Sequence, residues 1–325
     1  MQLPQLVNMF GSDLQRRYGE KIHKLTLHGG FSCPNRDGTL GRGGCTFCNV
    51  ASFADEQMQQ QSIAEQLAIQ AQKVNRAKRY LAYFQAYTST YAEVELLANM
   101  YQQALTQAEM VGICVGTRPD CVPEAALDLL AGYREQGFEV WLELGLQTAH
   151  DKTLKRINRG HDFSCYQQTS RLARERGLKV CSHLIVGLPG ETHQHHLATL
   201  QAVAESGVDG IKLHPLHIVT GSTMARAWQA GRLPELSLED YAFSAGEMIR
   251  HTPKGDYLPP HLGQRPSPHP VGTIMVRKPL ERHAGRRRLS SAAWWPGFGF
   301  GHRPAIPALK PRSQVANCNH SHSSQ

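Results

Sequence analysis

The sequence of 325 residues lacks any apolar run of the length, about 18 residues, that a membrane-spanning helix needs. Its first residues lack the charged segment followed by an apolar segment that marks a secretory signal. Its eight cysteines lack the spacing of a secreted disulfide framework, and a reducing compartment leaves such thiols as metal ligands or buried side chains. These absences predict a cytoplasmic protein without a membrane partner.

Excess positive charge is also absent from most of the chain, although the net charge is +8. Residues 1–253 contain 24 Lys and Arg against 25 Asp and Glu, a net charge of −1, whereas residues 254–325 contain 11 against 2, a net charge of +9. The globular part therefore has no cationic surplus with which to bind the phosphates of a nucleic acid.

The basic tail at residues 254–325 differs from the rest of the chain in composition. It contains ten of the 18 prolines and shows no apolar periodicity, which predicts disorder. A second interpretation is a shift of reading frame. A one-base shift from Lys254 onward allows codons that spell VIIYHRISASARRPTLLAPLWCENRW, a string typical of a globular β–α ending.

Up to about residue 217 the sequence alternates between short β-rich runs and longer runs with helical spacing of apolar residues. Six runs predict strands: Ile22–Leu27, Tyr80–Tyr87, Val111–Gly116, Glu139–Leu146, Lys179–Gly187 and Val208–Leu213. Five runs predict helices: Ser62–Arg79, Ala92–Gln107, Glu124–Gln136, Phe163–Arg176 and His195–Ser206. The alternation predicts parallel strands with right-handed crossovers, in an open barrel or a doubly wound sheet. Both place ligand sites at the C-terminal ends of the strands.

Three cysteines, Cys33, Cys45 and Cys48, lie in a glycine-rich loop directly after the first predicted strand. The next cysteine, Cys114, is two predicted strands away. Three thiolates on a cubane cluster leave one iron open, and an open position lets a metal site bind a substrate. The alternative is a structural zinc site completed by a histidine such as His28. The 11 residues between Cys33 and Cys45 are long for that purpose, since two to four usually separate paired zinc ligands.

Five further motifs follow at successive strand ends: YFQAYTSTY at 83–91, TRPD at 117–120, ELGLQT at 143–148, RINRGH at 156–161 and GLPGET at 187–192. With these motifs and the cysteine loop, roughly residues 15–250 resemble radical S-adenosylmethionine (SAM) enzymes. The match is to the YhcC-type group related to the radical SAM domain of the elongator catalytic subunit. The long first cysteine gap is shared with that branch. The resemblance implies an α/β fold, a partial (β/α)6 TIM-like barrel.

The resemblance also implies cofactors and an activity. The cysteine triad would hold a [4Fe-4S] cluster whose open iron is chelated by SAM. Reductive cleavage of SAM would give a 5′-deoxyadenosyl radical that abstracts hydrogen from a substrate, with an external electron donor such as flavodoxin. The motifs do not specify the substrate, and RNA is suggested only by analogy with the elongator relative.

The resemblance assigns SAM contacts to eight residues: Gln85, Thr88 and Ser89 at the amino group, Glu143 and Gln147 at the ribose, Arg159 at the carboxylate, and Gly187 and Glu191 under the adenine. Each has a structural alternative. Glu143 would pair with Lys179, Arg159 would be a solvated charge in a basic loop, Gln85 and Thr88 would be polar strand ends, and the glycines would only turn the chain.

The predicted organisation is an N-terminal segment at 1–20, the radical SAM barrel at 21–222, the start of a C-terminal extension at 223–253, and the basic tail at 254–325. Two hypotheses of other classes compete with the enzyme. The first is a zinc-bound structural or RNA-binding module, and the second is an inactive product of a frameshifted gene.

Overall fold

The computed structural model describes residues 7–49, 58–74, 77–107, 109–253 and 271–274. Within these residues, eight parallel strands form one sheet: β1 (Asn8–Met9), β2 (Ile22–Leu27), β3 (Arg79–Phe84), β4 (Met110–Thr117), β5 (Glu139–Gln147), β6 (Lys179–Val186), β7 (Gly210–Pro215) and β8 (Val271–Ile274). The order across the sheet is β1-β8-β7-β6-β5-β4-β3-β2.

Helices follow most of the strands: α1 (Phe10–Tyr18), α2 (Pro34–Asp37), α3 (Ile63–Gln72), α4 (Val94–Leu105), α5 (Glu124–Glu135), α6 (Asp151–Arg156), α7 (Phe163–Glu175), α8 (His193–Glu205), α9 (Thr223–Gln229) and α10 (Leu238–His251). From β2 to β7 the order in the sheet follows the order in the chain. A doubly wound sheet reverses its strand order at a switch point, and these six strands do not. They form a curled half-barrel, which confirms the predicted barrel class.

The two faces of the sheet carry different side chains because successive strand residues point to opposite sides. Leu25 and Phe84 face the outer helices and belong to the main hydrophobic core. Leu81 and Trp141 face the barrel interior, where Phe10 of α1 packs edge-on against Trp141 with ring centroids 5.1 Å apart. Helix α1 therefore packs beneath the first residues of the strands. The C-terminal ends of the strands form the opposite end of the half-barrel, here called the open end or the mouth.

The strand β2 has the predicted bounds, whereas the element after it differs from the prediction. The helix predicted to end at Arg79 ends at Gln72, because Arg79 pairs with Ile22 as the first residue of β3. Strand β3 ends at Phe84, three residues before the predicted end. The start of α3 was predicted correctly, and Ser62 caps it in a capping box with Glu65.

The C-terminal part contains elements that the periodicity did not predict. Helices α9 and α10 lie within the predicted start of the extension. Strand β8 lies within the basic tail and pairs with β7, with Val271 opposite Gly210. The rest of the tail lies outside the described residues, and its predicted disorder and the reading-frame interpretation remain predictions. No helix in the described part is long and apolar enough to span a membrane.

Candidate metal and cofactor site

The cysteine loop begins at the C-terminal end of β2, as predicted. Cys33 precedes α2, and its carbonyl accepts hydrogen bonds from the backbone N–H groups of Arg36 (2.8 Å) and Asp37 (3.1 Å). The loop then returns through Gly44, which has a φ of +80°. A Cβ atom at Gly44 would lie 2.8 Å from Nε of Arg36. Glycine at this position therefore serves both the turn and the close approach of the arginine.

The RINRGH motif clamps the cysteine loop. The Asn35 amide donates to the carbonyl of Asn158 (2.7 Å), and the Asn158 amide donates to the carbonyl of Gly44 (2.8 Å). The backbone N–H of Thr46 donates to the carbonyl of Ile157 (3.0 Å). These contacts join segments more than 100 residues apart in sequence, and the motif's spacing alone did not predict them.

The three thiols share one environment. Cys45 is buried, and Cys33 and Cys48 are half-buried. Burial raises the pKa of Cys48, the Arg36 guanidinium opposes this rise, and the charges of Cys45 and Cys33 add to it. Such mutual influence requires the sulfurs to be near neighbours.

The donor set of the cysteine loop consists of three thiols. Among the described residues, no three His, Cys, Asp or Glu side chains are arranged to hold one metal ion. His28, the fourth ligand of the zinc alternative, accepts a hydrogen bond at Nδ1 from the Gly30 N–H (3.0 Å). Three soft sulfur donors suit iron–sulfur ligation.

Two guanidinium groups point at the cysteine sulfurs. Nη1 of Arg159 lies 3.4 Å from Sγ of Cys45, and Nη1 of Arg118 lies 3.8 Å from Sγ of Cys33. The Asn35 amide lies 3.7 Å from Sγ of Cys45. Arg159 is thus engaged and half-buried, so the alternative of a solvated charge is wrong. Donors and positive charge around the sulfurs suit an anionic cluster.

The segment after β3 contains three of the residues predicted to contact SAM. Gln85 is exposed at the open end of the barrel. Thr88 is buried, and its Oγ1 has no hydrogen-bond partner within the described structure. An unpaired buried hydroxyl is costly and is consistent with an absent ligand. The hydroxyl of Ser89 instead reaches the carbonyl of Ala86 (3.5 Å).

Two glycines line the mouth on neighbouring strands. A Cβ atom at Gly116 would lie 3.2 Å from the carbonyl oxygen of Phe84. A Cβ atom at Gly145 would lie 2.8 Å from Nη2 of Arg159, which donates to the Gly145 carbonyl. Gln147 ends β5 in the left-handed region with a φ of +82° and is half-buried. Gly116 therefore allows close packing against β3, and Gly145 makes room for the Arg159 guanidinium.

Glu143 lies in the barrel interior with its carboxylate fully engaged. It accepts hydrogen bonds from Lys24 and from Nε2 of His183 (2.7 Å), and Nζ of Lys212 lies 3.6 Å away. Burial alone would raise its pKa, but these cations and the histidine hold it well below the ordinary value. The alternative pairing with Lys179 is wrong, because Lys179 binds Glu139 instead (2.7 Å).

The interior cluster contains groups that the sequence did not identify as neighbours. The Lys212 ammonium donates to the Tyr83 hydroxyl (3.1 Å), and Lys24 lies 4.6 Å from the centre of the Tyr83 ring. The rings of His183 and His214 are 5.4 Å apart. Burial lowers the pKa of both histidines, to about 4 for His183. The alternation of β2 would have placed Lys24 inward, since it has the same parity as the buried Ile22.

The GLPGET motif turns away from the mouth at its acidic residue. Gly187 has a φ of +95°, and a Cβ atom there would lie 2.7 Å from Cδ2 of Leu236. The carboxylate of Glu191 accepts a hydrogen bond from Thr148 (2.6 Å) and lies 3.9 Å from His196. The structure thus places Glu191 within a loop-to-helix network rather than facing the cysteine loop.

Comparison with known proteins agrees with this architecture. A family model described as the radical SAM superfamily matches residues 36–203, and one described as a radical SAM C-terminal domain matches residues 208–256. Protein YhcC of Escherichia coli is 77% identical over 253 residues, 78% of this chain and 82% of the relative. The uncharacterized protein YtqA of Bacillus subtilis is 41% identical over 255 residues, 75% of this chain and 79% of the relative.

A solved structure shares the fold. It is the archaeal Elp3 of Methanocaldococcus infernus with an N-terminal deletion, matched with a TM-score of 0.54 and 16% identity. The match covers 78% of this chain and 60% of that one. At this identity the likeness concerns the backbone arrangement alone, and it agrees with the half-barrel seen here.

Proposed function

The chain belongs to the radical SAM superfamily, and on this basis we propose that it is an enzyme that cleaves SAM reductively at a [4Fe-4S] cluster. Cys33, Cys45 and Cys48 would hold the cluster. When bound, the cluster and SAM together supply a 5′-deoxyadenosyl radical, which takes a hydrogen atom from a substrate. The observation that carries the proposal is the environment of the three thiols: one loop at the open end of the barrel, with guanidinium donors at two sulfurs.

The protein's own residues would orient SAM and exclude water. We propose Gln85, Thr88 and Gln147 as side-chain contacts, since Gln85 and Thr88 follow β3 and Gln147 is the last residue of β5, at the same end of the sheet at which the cysteine loop follows β2. The unpaired Thr88 hydroxyl supports this assignment. Arg159 is proposed at the SAM carboxylate, as the resemblance implies. Ser89, Glu143, Gly187 and Glu191 complete the set proposed from the resemblance. The side chains of the three polar residues among them are bonded within the protein, which favours a supporting role over direct contact.

We propose the electron donor and the substrate by their chemical class. The cluster requires a one-electron donor, for which a flavodoxin-like protein is proposed. RNA as substrate has no support from charge, because residues 1–253 carry a net charge of −1. The interior instead presents lysine, histidine and tyrosine groups beneath the mouth. These groups suit a small polar substrate that enters the barrel.

Anaerobic reconstitution tests the proposal. The wild-type chain should take up four irons, show the absorption of a [4Fe-4S] cluster, and release 5′-deoxyadenosine from SAM with dithionite. Cys45→Ala should abolish both cluster and product. Cys165→Ala is the matched control, because Cys165 is a buried thiol on α7 away from the loop. Tight zinc retention without iron uptake would instead support the structural module.

A further inference from the structure

Arg118 is held by a carboxylate while one edge of its guanidinium faces a cysteine. Its Nε and Nη2 donate to the two oxygens of Asp120 at 3.0 and 2.5 Å. Both side chains are almost fully buried, at 3% and 4% exposure. Nη1 is left to point at Sγ of Cys33. The bidentate pair fixes the guanidinium plane, so its orientation toward the sulfur does not depend on a bound ligand.

Arg159 is held in the same manner but by neutral groups. Its Nη2 donates to the carbonyl of Gly145, and its Nε donates to Nε2 of His161 (3.0 Å). A ring nitrogen that accepts a hydrogen bond carries no proton, and Nδ1 of His161 faces the carbonyl of Asp162 (3.1 Å). His161 is therefore neutral. Burial and the charge of Arg159 also lower its pKa to about 4.

The two arginines therefore differ in net charge toward the cysteine loop. The charge of Arg118 is balanced by Asp120 within hydrogen-bonding distance, whereas the partners of Arg159 carry no charge. Arg36, the third guanidinium near the loop, donates to the carbonyl of Cys48 (2.8 Å). Arg159 and Arg36 thus have no carboxylate among their described hydrogen-bond partners, and Arg159 also has a hydrogen bond to a cysteine sulfur, that of Cys45.

We propose that Arg159 is a positioning residue for the iron–sulfur cluster, in which its positive charge, paired with no hydrogen-bonded carboxylate, and its hydrogen bond to Cys45 make the cluster easier to reduce. Arg118 acts in the same direction through Cys33, but more weakly. The inference rests on the proposed function, since it presumes that the triad holds a cluster. Reduction adds one electron and one negative charge, which nearby cations and sulfur hydrogen bonds stabilise.

The test measures the reduction potential of the cluster. Loss of a merely structural contact would not make that potential depend on the charge of the side chain. The full chain is reconstituted anaerobically without SAM, and the reduced fraction of the cluster is followed by absorption and electron paramagnetic resonance during a dithionite titration. We expect Arg159→Gln to lower the reduced-to-oxidised ratio at a fixed potential about tenfold, which is about 59 mV for one electron. Arg159→Lys keeps the charge and should restore part of the ratio.

Two further variants test whether positive charge near the cysteines raises the reduced fraction of the cluster. Arg118→Gln should lower the ratio less than Arg159→Gln, because Asp120 already offsets the charge. Asp120→Asn should raise the ratio, because it removes that offset. Arg156→Gln is the matched control: Arg156 lies in the same motif but is exposed and donates to the carbonyl of Pro189 (2.6 Å). It should change the ratio less than twofold.

The outcomes separate this inference from the proposed function. If the wild type assembles no four-iron cluster, the proposed function fails. If the cluster forms and Arg159→Gln leaves its potential unchanged while SAM affinity falls, Arg159 serves only the SAM carboxylate and the inference is wrong. If Arg159→Gln fails to retain iron, Asp120→Asn still decides, because the Asp120 carboxylate faces both arginines: a rise in the reduced-to-oxidised ratio supports the inference, and an unchanged or lower ratio overturns it.

Discussion

Glu143 belongs to the interior ion cluster, which also contains Lys24, His183 and Lys212. Removal of the Glu143 side chain should destabilise the barrel most directly. The carboxylate binds Lys24 and His183 and lies 3.6 Å from the Lys212 ammonium. The side chains of Glu143 and Lys212 are 2% and 3% exposed. The variant Glu143→Ala leaves two ammonium groups facing one another without a counter-charge in the low-dielectric interior.

Breaking a buried ion pair by removing one partner costs about 3–5 kcal/mol, and the same loss is expected for Glu143→Ala. This is a large share of the total stability of a domain, about 5–15 kcal/mol. The measurement is urea unfolding of the apo-protein under reducing conditions, followed by circular dichroism. Glu124→Ala is the control, since that carboxylate is 70% exposed in its pair with Arg176, and its loss should cost about 0–1 kcal/mol.

The pH dependence gives a second check with a defined sign. Burial lowers the pKa of Lys212 even in the presence of Glu143, and removing the carboxylate lowers it further. A folded-state lysine pKa below the unfolded value means that the unfolded chain binds more protons, so stability rises with pH. The deficit of Glu143→Ala should therefore shrink as pH rises toward about 10.4. A deficit below about 1 kcal/mol at pH 7 would refute the role given to this ion cluster.

Three other predictions follow from single contacts. Burial would raise the pKa of Glu139, but hydrogen bonds and charges from its cationic partners lower it from 4.5 to about 2. The free energy of unfolding should therefore fall as pH drops from about 5 to 2, and Glu139→Gln should reduce this dependence on pH. Gly145→Ala should displace Arg159, because the new Cβ would lie 2.8 Å from Nη2; iron retained per chain should drop while far-ultraviolet circular dichroism stays unchanged. Restoring the shifted frame from Lys254 should raise the soluble yield, and equal yields of the two chains would contradict the frameshift interpretation.

The alternating and helical patterns predicted the barrel because each such pattern is local. The strand β2 needed only the buried Ile22, Leu25 and Leu27 within one run. The cysteine triad was equally local, within 16 residues. The partners of Glu143 were not predictable in this way, because Lys24 and Lys212 lie on strands far apart in the chain. Only the register of the strands brings these residues together.

The same limit applies to the clamp on the cysteine loop. Asn35 and Asn158 each looked like loop residues suited to turns. The amide of Asn35 can donate to the Asn158 carbonyl, and the amide of Asn158 to the Gly44 carbonyl, only once the loop after α6 lies over the loop after β2. A motif read in isolation therefore identifies a ligand loop but not what holds it. The strand order adds this information, because parallel strands bring their C-terminal loops to one edge.

The charged residues of the ELGLQT and RINRGH motifs lie in different surroundings. Glu143 is buried under Lys24, His183 and Lys212, so a contact with the SAM ribose would require it to give up partners that hold its pKa well below normal. Gln147, four residues later, stands at the open end of β5. Arg159 meets the same strand at Gly145. The acidic residue of the first motif thus stabilises the barrel, and Arg159 of the second motif joins β5 at Gly145 to Cys45 of the cysteine loop.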